Sequence, residues 1–68
     1  MFKRMVFDFP SDLWEQYKAQ YPFTLGERVL FLGEIAEMPG HCVVVKRDGR
    51  VMWGYHTDNF RELTEDEK

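Results

Sequence analysis

Sixty-eight residues make one domain and leave no room for a second. A chain this short buries only about 60% of the surface it exposes when unfolded, so its core must come from large side chains, here six Phe, two Trp and three Tyr. The single cysteine, Cys42, excludes an internal disulfide and a Cys/His zinc pattern, and a net charge of −3 excludes the strong basic field of a dedicated nucleic-acid binder.

The first stretch, "MFKRMVFDFP", is cut by Asp8 and Pro10, which leaves its apolar run far below the roughly 7–15 residues of a secretory core region. Its alternation instead predicts a strand with Met5, Phe7 and Phe9 on one face and Arg4, Val6 and Asp8 on the other. Pro10 ends that strand. "SDLWEQYKAQY" follows as a short helix, with Ser11 or Asp12 available to cap its first amides and Glu15 three residues after Asp12. Leu13, Trp14, Tyr17 and Tyr21 form an apolar stripe, and Pro22 stops the helix by excluding Tyr21 from the α region.

From Leu25 the pattern changes to short strands between glycine turns. "GERVLFLGEI" predicts a strand with Val29, Phe31 and Ile35 on one side. "MPGH" predicts a type II turn with Gly40 at positive φ, and "HCVVV" a second strand. "RDG" turns the chain into "RVMWGYH", "TDNF" forms one helical turn, and a last strand lies around Arg61–Leu63. The acidic residues 64–68 are expected to fray. No uninterrupted apolar run exceeds four residues, so no helix is expected to span a membrane, and a cytoplasmic location is expected.

Asp48-Gly49 permits two hairpins. A two-residue turn pairs His41 with His56, a pairing suited to metal binding or a pH switch. A three-residue loop with Gly49 as a G1 bulge pairs Lys46 with Arg50, Val43 with Trp53 and His41 with Tyr55. The second gathers Val43, Val45, Val51, Trp53 and Tyr55 on one face, and because a one-residue slip flips every side chain it is the register the apolar pattern favours. His41 and His56 then point to opposite faces and share no ion. Cys42, in mid-strand among valines, lacks the positioned base and electropositive surround of a nucleophile. With no phosphate loop, dinucleotide fingerprint or GxSxG either, neither catalysis nor a bound cofactor or metal is expected.

Residues 25–63, short strands with glycine turns and a helical turn before the last, resemble SH3-like barrels. The stretch "DGRVMWGYHTDNFRELTED" is similar to the end of the small peripheral subunit of photosystem I, whose last strand follows a Thr-Asn-Asn-Phe-type turn. Here Thr57, Asp58, Asn59 and Phe60 occupy that turn. The resemblance implies a barrel of the electron-transport accessory type, which docks on larger complexes and holds no cofactor itself. The strand and helix of residues 3–21 have no counterpart in that subunit.

The expected architecture is therefore mainly β: a four- to five-stranded antiparallel SH3-like barrel preceded by a strand and a short helix. The expected function is a non-catalytic interaction module, with a protein partner or a second copy meeting Met38, Cys42, Val44, Met52 and His56 on the outer face of the hairpin. The alternative is that the helix, through Trp14, Tyr17 and Tyr21, covers that face itself. A reading from another class assigns Lys46, Arg47 and Arg50 at the hairpin tip to nucleic acid, against the overall acidity.

Overall fold

The structure is a computed structural model that describes residues 2–68. β1 (Lys3–Phe7) leads through Pro10 into α1 (Ser11–Tyr17), which tightens into a 3₁₀ turn over Lys18–Gln20. β2 (Arg28–Ile35), β3 (Met38–Val45) and β4 (Val51–His56) follow as two hairpins. A 3₁₀ turn, Thr57–Asn59, links β4 to β5 (Phe60–Glu62). The five strands form one antiparallel sheet in the order β4-β3-β2-β1-β5.

That order has a geometric consequence. In a flat sheet, four spacings of ~4.8 Å would hold β4 and β5 about 19 Å apart. The chain from His56 to Phe60 reaches at most about 14 Å even when extended, and here it is coiled. The sheet must curl, bringing its two edges toward one another as in SH3-like folds. It does not close, because β4 and β5 exchange no ladder hydrogen bonds. Phe23 lies between them instead, its ring 5.2 Å from Tyr55 on β4 and 5.5 Å from Phe60, both near perpendicular.

The concave face carries the core. Phe7, Phe23, Val29, Cys42, Val44 and Phe60 are buried together. Met5, Phe9, Trp14, Tyr21, Phe31, Met52 and Tyr55 pack around them. The expected face of Met5, Phe7 and Phe9 is thus present, as are Val29 and Phe31. Ile35 stays outside the core, because a register shift between Phe31 and Gly33 turns the end of β2. Phe7 touches five aromatic rings: Phe9, Trp14, Tyr21, Phe23 and Phe60, at centroid separations of 4.9 to 6.4 Å.

Local details depart from sequence expectation where tertiary pairing takes over. Pro10, not Ser11 or Asp12, occupies the N-cap of α1, and no side chain caps it. "MPGH" lies within β3; the turn is the earlier pair Ala36–Glu37, with Ile35 opposite Met38, and Gly40 serves a bulge between the Glu34–Cys42 and Ile35–Met38 pairs. The acidic end winds into a 3₁₀ turn, Glu65–Glu67, closed by a Thr64–Glu67 capping box. Glu67 accepts from Arg61 Nη1 and Nη2 at 2.7 and 3.1 Å and from the Thr64 amide at 2.8 Å.

Two outcomes follow. Phe7→Ala removes the hub of the aromatic cluster at a cost of about 3–5 kcal/mol, against a total stability of ~3–10 kcal/mol for a domain of this length; urea unfolding monitored by circular dichroism is expected to show a largely unfolded chain. The Arg61 guanidinium, then the Thr64 amide, hold the Glu67 carboxyl at about 2 instead of the ordinary 4.5. Its contribution is therefore present above pH 4.5 and lost as pH falls through about 2. Glu67→Gln is expected to flatten that part of the stability–pH curve and leave the neutral-to-alkaline part parallel to the parent's.

Candidate functional site

The β3–β4 hairpin shapes both surfaces of interest. Its loop is the expected bulged turn: the Lys46 amide donates to Arg50 O (2.8 Å), the Gly49 amide to Lys46 O (2.9 Å), and Gly49 takes φ +94°. Val45 accordingly faces Val51, and Val43 faces Trp53. Beyond that point a second bulge intervenes. Gly54, at φ +79°, is an extra residue in β4, so Cys42 faces Tyr55 and His41 faces His56. The expected pairing of His41 with Tyr55, and the separation of the two imidazoles, are corrected by this one residue. Because side chains alternate along a strand, one inserted residue swings Tyr55 onto the core face and His56 beside His41.

The two faces of the hairpin are also exchanged relative to expectation. Cys42 and Val44 are fully buried and Met52 packs against them, so none of the three lines an open surface. Trp14 of α1 and Tyr21 beyond it pack against the core on this face, whereas Tyr17, expected to join them, stays exposed beside Phe9. Of the residues assigned to docking, Met38 and His56 are exposed. β3 carries valine on both sides, so its own pattern does not choose a face. The choice lies in its pairing with β2, where Phe31 of the core stands opposite Val44.

The convex face is the more open one, although Val6 and Val43 on it are buried. Arg4, Leu30, Val45 and Val51 form a continuous row across four strands, and Val43 and Trp53 stand in the row beside it. Leu30 is 39%, Val51 50% and Trp53 67% exposed. The apolar pattern groups Val43, Val45, Val51, Trp53 and Tyr55 on one inward face; of these only Tyr55 packs against the aromatic core.

At one end of this strip Arg4, Arg28 and Arg47 surround a cleft floored by Leu30 and Val45. None of the three arginines makes an ion pair among the described residues. The other tip cations are engaged. Lys46, expected at an open tip, is turned inward: its Nζ donates to the Pro22 carbonyl, lies 3.1 Å from Glu27 and sits 4.9 Å over the Phe23 ring. Arg50 is held by Asp48, with Nε 2.9 Å from the carboxylate.

Cys42 donates its thiol hydrogen to the Tyr55 carbonyl at 3.3 Å. Burial, and secondarily the Glu34 carboxylate, push the thiol from the ordinary 9.0 up to about 11. A thiol so placed is a packing element, not a nucleophile. No helix among the described residues is long and apolar enough to cross a membrane. No protein-family model matches the chain, and neither curated proteins nor solved structures yield a match.

The thiolate fraction at pH 8 falls tenfold for each unit of that rise, to about one hundredth of its free value. Iodoacetamide is therefore expected to alkylate Cys42 at least 100-fold more slowly in the native protein than in 8 M urea, read by mass spectrometry. Equal rates would place the thiol at the surface.

Proposed function

We propose that the protein is a non-catalytic, cytoplasmic interaction module whose convex sheet face receives an acidic polypeptide segment bearing aliphatic or aromatic side chains. The observation that carries this reading is the apolar row Leu30, Val45 and Val51 beside the exposed Trp53, ending at three arginines that make no ion pair among the described residues. Exposed apolar surface rimmed by polar residues is characteristic of interfaces, where Trp and Arg anchors carry most of the binding energy. Covering the exposed two-thirds of Trp53 alone is worth about 2–4 kcal/mol. The arginines add charge complementarity, which favours a carboxylate-bearing partner and fixes its direction along the strip. The turn Thr57–Asn59 before Phe60 and the likeness to the electron-transport accessory type agree with a role docked on a larger assembly.

Nucleic acid is the second reading, since a base can stack on Trp53 while Arg4, Arg28 and Arg47 meet phosphates. The inward course of Lys46 and the pairing of Arg50 weaken it, and so does the net charge of −3.

Selection of a random peptide display library against the intact protein separates these readings. The expected result is enrichment of peptides with acidic residues flanking aliphatic or aromatic ones, at affinities that fall with added salt and drop at least tenfold in Trp53→Ser and in Arg4→Glu/Arg28→Glu. Enrichment that ignores both variants would overturn the assignment of this face. Trp53-dependent binding of random single-stranded RNA at low salt, without peptide enrichment, would replace the polypeptide by nucleic acid.

A further inference from the structure

The bulge at Gly54 creates a juxtaposition that the docking face does not use. His41 on β3 and His56 on β4 are direct cross-strand partners, with ring centroids 4.3 Å apart and planes inclined by 39°. His41 is half-buried and His56 exposed, so the pair stands at the surface with water on one side. The backbone around both rings is tied down. Thr57, next to His56, donates its hydroxyl to the carbonyl of Gly40, next to His41, at 3.1 Å. His41 Nδ1 lies 3.1 Å from the Pro39 carbonyl oxygen. A carbonyl only accepts, so Nδ1 carries the hydrogen of that bond, and the lone pair of the neutral ring sits on Nε2. A backbone acceptor on one ring nitrogen is the usual way a metal-binding histidine is oriented and its tautomer chosen. Neither imidazole is engaged by a carboxylate among the described residues.

We infer that His41 and His56 together chelate a divalent transition-metal ion of the imidazole-preferring kind, such as Zn²⁺ or Ni²⁺, through one ring nitrogen each. Metal–nitrogen bonds of about 2.0–2.1 Å place two ligands of a tetrahedral shell ~3.3 Å apart. The ring centroids of these direct cross-strand partners stand 4.3 Å apart, close enough for one nitrogen of each to meet a shared ion. Imidazole selects Zn²⁺, Ni²⁺ and Cu²⁺ over Mg²⁺ and Ca²⁺, which take oxygen ligands. The described residues bring no group of three or more His, Cys, Asp or Glu together, so the remaining positions belong to water or an external donor. With half the protein ligands of a closed zinc site, the dissociation constant falls on the order of 1–100 µM.

The test is calorimetric titration of the full chain with ZnCl₂ and NiCl₂ in a non-coordinating buffer at pH 7.5, with MgCl₂ as control. One ion per chain is expected for Zn²⁺ and for Ni²⁺, no heat of binding for Mg²⁺, and at least a tenfold loss of affinity in His41→Gln and in His56→Ala. Nitrogen-15 NMR of the imidazoles is expected to shift the resonances of both rings together on adding Zn²⁺. If His41→Gln does not fold, His56→Ala decides, since its side chain is exposed. Absence of saturable binding below 1 mM, or binding that survives His56→Ala, overturns the proposal. Both outcomes are independent of whether peptides bind the convex face.

Discussion

The structure depends on the enclosure of Phe7. Its ring meets five others, contributed by residues that lie before, within and after the helix and by the last strand. A small domain without a disulfide has few ways to hold a curled sheet. Here the aromatic cluster does it, because Phe7 anchors β1 at the centre while Phe23 fills the opening between the two edge strands. The Lys46 ammonium, lodged on the Phe23 ring and on the Pro22 carbonyl, ties the segment that delivers Phe23 to β3. Removing any of these would leave the edges apart and the Tyr55–Phe23–Phe60 contact unmade.

Enclosing one face leaves the other open. The aromatic segment between β1 and β2 can cover only one side of the sheet, and it covers the concave one. Leu30, Val51 and Trp53 are left in water on the convex side. The arginines at the end of that strip and the buried, unreactive Cys42 on the opposite side give the two faces different chemistry. The first is suited to recognition and the second to stability. The histidine pair lies at the far end of the hairpin, past the second bulge that breaks the regular ladder.

Much of this was legible in the residues. The alternation of Met5, Phe7 and Phe9, the turn at Asp48-Gly49 and the helical turn over Thr57–Asn59 each follow from chain-local rules, and each is present. Such features depend on steric preference and on spacing within a few residues. The candidate site was less legible. Val43 and Val44 look alike in sequence and both are buried, and only their neighbours on β2 decide which of them faces the aromatic core. Lys46 looked like a tip cation because its carbonyl and carboxylate partners are about twenty residues away in the chain.

The sequence by itself determined a small mainly β fold, the order of its strands along the chain, the aromatic character of its core and a turn at Asp48-Gly49. Those properties are set by composition, periodicity and the restricted φ of short turns. Only the tertiary structure decided which side of the hairpin is buried and that the two imidazoles meet. A bulge at Gly54 costs little locally, since glycine accepts positive φ, and it is selected by what it delivers across the sheet: Tyr55 onto Phe23, and with it His56 onto His41.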